Sequence, residues 1–325
     1  MPEKYTNRLS EIWLKAAVMG SLWASFEIII GSFLHNLRFP FSGTLLSFAS
    51  VGLIIAFLQV WKNRGLVWRA GLVAALLKSI SPSAIILGPM IGIFTEALII
   101  ELFVLLLGRN LLGYMVGGAL AVFSTLLHKV FSLLVTYGFD LIVIVDELYQ
   151  YLSRQAGLTE GDPYILISAI VLIYLIVGML AALLGFLGGR RVKDLNIKSK
   201  EIYPNQGDSL FSNLPLRKSS PWFLLFHLFC IILCLYMINM IPLWYAAIPS
   251  LAYAAYCMRM YKKSMRSFRK ISFWIWFMSS TILAAVFWNG RSKGEIWDWE
   301  GLIVGLRMNL RAVLILTGLA AISHE

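Results

Sequence analysis

Long apolar runs separated by short polar segments dominate the pattern of hydrophobic and polar positions along the chain. A membrane-spanning helix needs about 20 mostly apolar residues at a rise of 1.5 Å each. By that measure the pattern predicts helices near residues 12–34, 43–61, 66–80, 84–107, 111–137, 164–188, 222–241, 243–258, 271–288 and 301–322. The sequence therefore predicts an all-α polytopic membrane protein with about ten transmembrane helices.

The composition supports this assignment. Of the 325 residues, 59% are hydrophobic and only 14% are charged, and the mean hydropathy is +0.77. Ordinary soluble domains carry nearly twice that share of charged residues. The lipid bilayer is therefore the expected surrounding of most of the chain.

The basic residues predict how the chain is oriented. With the amino terminus in the cytoplasm, twenty Lys and Arg residues fall in cytoplasmic segments and five in outer segments. Such an excess on the inner side is typical of multi-pass membrane proteins. It accounts for most of the net charge of +11 without a nucleic-acid partner, and we expect none.

A polar segment divides the predicted helices into six and four. Residues 190–220 contain Pro, Gly and many charges with no apolar periodicity, so they are predicted to form a cytoplasmic linker between a membrane domain of residues 1–189 and another of residues 221–325. The first is rich in Gly, Ala and Leu and the second in aromatic residues and Met, with no internal repeat between them.

Motifs of soluble catalysis are absent from the sequence. There is no G-x-x-x-x-G-K-[ST] phosphate loop, no H-E-x-x-H, no G-x-S-x-G and no C-x-x-C. We therefore expect neither catalytic residues nor a metal site, and no bound cofactor. Any ATP would be hydrolysed by a partner chain.

Ionisable residues inside the apolar runs are the main functional signal. Helix rise places Glu27 about 10 Å, His128 about 14 Å and Glu96 about 18 Å below the outer surface, with Lys78 near the outer mouth. Charges at such depth are costly and usually functional. These four residues are predicted either to pair with other side chains or to bind a polar solute that enters from outside.

Glu101 is predicted to act differently. It lies five residues after Glu96, about 140° round the helix and closer to the inner face. We expect it to contact a basic group or a neighbouring helix rather than the same solute.

Two further patterns predict helix packing or coupling. Ala16, Gly20 and Ala24 recur every fourth residue of the first helix, as in faces where membrane helices approach closely. They predict contact with another helix of the same bundle or with a partner membrane domain. In the last helix Arg307 and Arg311 share one face, and Arg311 lies too deep to reach the interface easily, so we expect it to have a protein partner.

The outer segment of residues 139–163 is long for a connection and mixes apolar with acidic residues. It is predicted to be either a lid over a binding site or a surface helix with only a packing role.

Two stretches resemble a known transporter family. "SPSAIILGPMIGIFTEALIIELFVLLLGRNLLGYMVGGALA" resembles the six-helix, solute-binding S component of energy-coupling factor (ECF) transporters. "GLIVGLRMNLRAVLILTGLAAIS" is similar to the transmembrane coupling protein EcfT, with Arg311 at the position of that family's arginine. The resemblance implies a six-helix S-component-like bundle fused to a four-helix EcfT-like region. The second part lacks the Ala-Arg-Gly coupling helices of the family, so it is expected either to be a truncated form or not to reach the ATPases in the usual way.

The resemblance implies a function in the bacterial cytoplasmic membrane. The chain would capture a vitamin or related micronutrient outside the cell, and its uptake would be coupled to ECF-type ATPase subunits on separate chains. Two alternatives stay open. One is a proton- or ion-coupled secondary transporter that uses Glu96 and Glu101 as carriers, and the other is a membrane scaffold without transport activity.

Overall fold

The computed structural model describes residues 2–37, 39, 41–80, 87–138, 140–155, 163–202, 221–261, 268, 270–287 and 299–322. Within these ranges the chain forms eleven α-helices and no strand. They are α1 (Pro2–Asn36), α2 (Ser42–Val60), α3 (Leu66–Lys78), α4 (Leu87–Leu106), α5 (Leu111–Tyr137), α6 (Asp140–Gln155), α7 (Pro163–Ile202), α8 (Pro221–Met240), α9 (Leu243–Met260), α10 (Ile271–Phe287) and α11 (Trp299–Ile322).

Seven of the described helices contain segments long and apolar enough to cross a membrane, as a polytopic membrane protein requires. These segments are Glu11–Leu34, Ser42–Val60, Leu87–Leu106, Leu111–Tyr137, Ile167–Lys193, Trp222–Met240 and Trp299–Ile322. Each predicted helix has a counterpart in the structure. Length and composition single out seven spans, however, and the count of ten stays a prediction.

Two segments differ from the sequence-based expectation. Helix α7 continues to Ile202, past residue 190 where the linker was expected to begin, because nothing in residues 190–202 breaks a helix. The rest of that linker, residues 203–220, lies outside the described residues. The outer segment of residues 139–163 contains helix α6, while residues 139 and 156–162 lie outside the described part of the chain.

Contacts between residues divide the chain into two compact units. The first unit consists of residues 15–74 and 88–208, and the second of residues 1–14, 75–87 and 209–325. The boundary at residue 208 lies inside the predicted linker.

Close backbone contacts hold helices α2, α5 and α7 together in the first unit. A β-carbon added at Gly185 of α7 would overlap the backbone of Gly52 in α2, and one added at Gly178 would overlap the backbone of Gly118 in α5. Glycines at such positions let membrane helices approach to the distance at which their backbones touch. These two contacts hold α2 and α5 against α7.

Helices α1, α3 and α4 pack against one another in the same unit. A β-carbon on Gly20 would lie 2.5 Å from the carbonyl oxygen of Ala70 in α3, and Gly71 faces both Ala97 of α4 and the ring of Trp23. Ala16 and Ala24 are buried as well. The small-residue face of α1 is therefore covered, with Gly20 packed against a helix of its own unit.

Helices α8, α9 and α10 each contact α11 in the second unit. Gly318 of α11 packs on Ile231 of α8 and close to the hydroxyl of Tyr253 in α9. His227 of α8 is fully buried and hydrogen-bonded on both sides, to the Tyr253 hydroxyl at 2.9 Å and the Tyr261 hydroxyl at 3.1 Å. These hydrogen bonds connect α8 to Tyr253 in α9 and to Tyr261 just after it.

Candidate functional site

Glu27 of helix α1 is a buried carboxylate in the first unit. Its side chain is 6% exposed, and the hydroxyl of Ser50 in α2 donates a hydrogen bond to Glu27 Oε1 at 3.1 Å. Trp23 lies one turn earlier on the same face of α1 and is fully buried. The hydrogen bond from Ser50 connects α2 to α1 at Glu27.

Glu96 of helix α4 is a second buried carboxylate in the same unit. It is 6% exposed, interacts electrostatically with Glu27, and lies beside Ser47 of α2. Ser47 is one turn before Ser50, so both hydroxyls lie on one face of α2. Three helices thus bring two acids and two hydroxyls together, and we call Trp23, Glu27, Ser47, Ser50 and Glu96 the carboxylate cluster.

Several atoms of the carboxylate cluster lack a hydrogen bond. Within the described part of the chain, no group is in hydrogen-bonding geometry with Glu96 Oε2, Ser47 Oγ or Trp23 Nε1. A buried polar atom without a partner costs about 1–3 kcal/mol. Proteins rarely keep such atoms together unless a water molecule or a ligand satisfies them.

The arrangement can bind a polar solute. The carboxylates offer acceptors, the indole N–H offers a donor, and the hydroxyl of Ser47 can do either. Buried apolar residues lie within one turn of these groups on the same helices, including Ile54, Ile93 and Ala97. A mostly apolar site with a few converging polar groups is typical of small-molecule binding sites.

Lys78 and His128, the other two predicted solute-contacting residues, have different surroundings. Lys78 ends helix α3 and belongs to the second unit, where it is partly buried. His128 lies on α5 and is exposed, as are Lys129 and the residues up to Gly138. His128 therefore does not share the burial of the carboxylate cluster. The sequence gives the position of a residue along its helix, but not its rotation about the helix axis.

Glu101 caps a neighbouring helix. Its carboxylate accepts hydrogen bonds from the backbone N–H groups of Gly65 at 2.7 Å, Val67 at 2.8 Å and Trp68 at 3.4 Å, at the start of α3. It also interacts electrostatically with Arg69. The expectation that Glu101 contacts a basic group or a neighbouring helix is confirmed. A carboxylate at a helix amino terminus satisfies N–H groups that have no partner within the helix.

Arg311 has the protein partner expected of it. It is 7% exposed, and its guanidinium donates to the Oδ1 atom of Asn239 in helix α8 at 2.5 Å. Arg307, one turn earlier, is only half-buried. On the same helix, Asn309 donates to the carbonyl oxygen of Phe277 at 2.7 Å and to the hydroxyl of Thr281. Polar contacts thus connect α11 to α8 and α10.

Sequence reasoning missed three members of the carboxylate cluster. Ser47 and Ser50 are short polar residues in an apolar helix, where serine often bonds only to its own backbone. Trp23 is an ordinary helix residue by pattern. Its position four residues before Glu27 was the one available signal.

The described residues contain no group of three or more His, Cys, Asp or Glu side chains that could hold a metal ion. Comparison of the chain with family models, curated proteins and solved structures finds no match in any of the three.

Proposed function

We propose that the chain is the membrane component of an energy-coupling factor importer in a bacterial cytoplasmic membrane. The membrane domain of residues 1–189 captures a small vitamin-like solute from outside, and the domain of residues 221–325 couples its uptake to ATPase subunits on separate chains. Glu27 and Glu96 contact the solute. Lys78, near the outer mouth, and His128, deeper in its helix, remain predicted solute contacts.

One observation supports this proposal more than any other. Glu96 lies buried beside a second carboxylate in an apolar helical unit, with one oxygen that no described side chain satisfies. Buried polar atoms usually have a hydrogen-bond partner, so this unsatisfied oxygen favours a partner that comes from outside the chain.

The composition of the chain gives a second line of support. Residues 1–189 are rich in Gly, Ala and Leu, and residues 221–325 are rich in aromatic residues and Met. Two parts of different composition suit a solute-binding part and a coupling part. The sequence contains no nucleotide-binding motif, so an ATP-driven importer of this kind would use ATPases on partner chains.

Co-purification tests the coupling to ATPases. The tagged full-length chain is expressed in its own host, extracted in mild detergent and isolated, with an unrelated tagged polytopic protein as the control. We expect subunits with phosphate-loop motifs in amounts comparable to the chain, and ATP hydrolysis by the isolated complex. A preparation that contains no ATPase beyond the amount in the control would contradict the importer.

Proton-coupled transport is a second candidate, because the electrostatic interaction between Glu27 and Glu96 also suits a proton carrier. In vesicles that contain only this protein and a pH-sensitive dye, a proton-coupled carrier acidifies the lumen when small-molecule extract is added outside. The ECF importer, which needs ATPases, leaves the dye unchanged.

A further inference from the structure

Helix α6 separates apolar from polar residues more sharply than any other helix in the described part of the chain. Asp146, Glu147 and Gln150 lie within about 100° of one another around the helix axis, and all three are exposed. Gln150 also donates a hydrogen bond to Asp146 Oδ2 at 3.0 Å. These side chains form the polar half of α6, which suits contact with water.

The opposite half of α6 presents apolar side chains. By their positions in the helix, Ile144, Val145 and Tyr151 lie on this apolar half. Helix α5 contacts α6, yet Ile144 stays 44%, Val145 38% and Tyr151 58% exposed. The described part of the chain therefore leaves much of the apolar half uncovered. An uncovered apolar face of this kind is typical of contact with a membrane or with another protein.

The end of helix α5 places α6 at the edge of the lipid. All eleven residues from Leu127 to Tyr137 are exposed, and seven of them are large apolar residues, so lipid is expected to surround this stretch. Gly138 follows with a φ of 62°, which glycine adopts readily, and α6 begins at Asp140. Three residues span at most about 10 Å. Helix α6 therefore starts close to the end of the stretch that lipid surrounds.

We propose that α6 lies along the membrane surface, with its apolar half in lipid and its polar half in water. Lipid is the partner of the apolar half because this uncovered face follows directly on the lipid-exposed end of α5. A helix of low overall hydrophobicity with one apolar face is typical of the membrane interface, and tyrosine is common there. The polar half carries Asp146 and Glu147, which repel anionic headgroups. Apolar contact rather than charge attraction therefore holds the helix at the surface.

Fluorescence quenching at two valines of α6 tests this inference. Val143 lies on the polar half, between Asp146 and Glu147, and Val145 lies on the apolar half, although both are exposed, at 57% and 38%. Each is replaced by cysteine in the full-length Cys230→Ser protein, labelled with bimane and reconstituted into phosphatidylcholine nanodiscs. The quenchers are iodide in the water and bromine atoms on the acyl chains of the lipid. The Cys230→Ser protein alone is the labelling blank.

The two labels should respond in opposite ways. We expect brominated lipid to quench the label at position 145 at least threefold more than the label at position 143, and iodide to show the reverse preference. Ile144→Cys and Glu147→Cys give a second pair on the same two halves, in case a label at either valine disturbs folding. The thermal unfolding midpoint of each labelled protein should stay within a few degrees of the blank.

Three results would overturn the inference. Equal quenching of both positions by iodide would show that α6 stands in water. A label at position 145 that neither quencher reaches would show that protein covers the apolar half, as in a lid. Strong quenching of both positions by brominated lipid would show that α6 is immersed in the membrane. The measurement involves neither a solute nor an ATPase, so failure of the importer proposal would leave its outcome unchanged.

Discussion

Single side chains explain how an apolar bundle tolerates its acids, and Glu101 is the clearest case. Three backbone N–H groups at the start of α3 donate to its carboxylate, which lies on α4. The three donors are the groups that a helix cannot satisfy by itself. The acid therefore has a structural role, and its burial needs no solute to explain it.

Replacement of Glu101 by alanine should destabilise the protein. The change leaves buried N–H groups near Gly65 and Val67 without an acceptor, at a cost of about 2–4 kcal/mol. We expect the thermal midpoint in detergent, followed by tryptophan fluorescence, to fall by about 5 °C or more. Glu101→Gln, which keeps one acceptor oxygen, should lie between alanine and the wild type.

Glu147→Ala provides the matched control, because Glu147 is exposed on α6. Its midpoint should equal that of the wild type. An unchanged midpoint for Glu101→Ala would show that water replaces the carboxylate at the start of α3 without loss of stability.

The sequence predicted the depth of the acids but not their partners. Helix rise placed Glu27 and Glu96 inside the membrane domain, and the structure brings these two together. The sequence could not reveal that the His128 side chain is exposed, because the rotation of a helix about its axis depends on which neighbouring helices pack against it. It also could not identify Ser47, since a serine in an apolar helix has the same pattern whether or not it faces a site.

At the scale of helices, each helix predicted from the apolar pattern has a counterpart in the structure. The predicted bounds were least accurate where a helix ends in polar residues. Helix α7 runs twelve residues past the expected start of the linker, because charged residues such as Arg190 and Lys193 are good helix formers that carry no apolar signal. For the segment that contains α6, the sequence allowed either a lid over a binding site or a surface helix. Its alternation of apolar and acidic residues fits a helix with one polar face.

The contact between α2 and α7 gives a prediction with a control on the same helix. A β-carbon at Gly185 would overlap the backbone of Gly52, so Gly185→Ala must separate the two helices. A β-carbon at Gly188 would meet nothing within 4 Å, so Gly188→Ala should be neutral or stabilise by up to about 1 kcal/mol through helix propensity.

Thermal unfolding of the two variants checks this contrast. We expect Gly185→Ala to lower the stability by about 2 kcal/mol or more, as overpacking of a tight interface does, and Gly188→Ala to match or exceed the wild type. Equal midpoints for the two variants would mean that α2 and α7 adjust their distance freely.

For the molecule as a whole, helix α3 shows why the number of spans is hard to count from hydropathy. Its 13 residues extend about 20 Å, less than the hydrocarbon thickness of about 30 Å. Leu66, Val67, Ala70 and Val73 are all buried by protein. A short helix is tolerated at membrane depth where protein rather than lipid surrounds it. Hydropathy registers the apolar run but not what surrounds it.

Cysteine labelling tests the predicted orientation. Glu147→Cys on α6 and Arg191→Cys on α7 are both exposed positions, whereas the native Cys234 and Cys257 are buried. Cys230, which is half-buried, is replaced by serine in both variants. A membrane-impermeant maleimide should label position 147 in intact cells and position 191 only after the cells are opened.

The reverse labelling pattern would show that the chain has the opposite orientation in the membrane. Labelling of both positions from one side would show that the apolar part of α7 does not cross the membrane.

Helix α7 is about 60 Å long, roughly twice the hydrocarbon thickness. Its apolar segment ends at Lys193, and the nine residues to Ile202 add about 14 Å of helix beyond it. The predicted linker therefore follows a helical extension rather than the apolar segment itself. An antibody epitope inserted there should be reachable in inside-out vesicles without detergent.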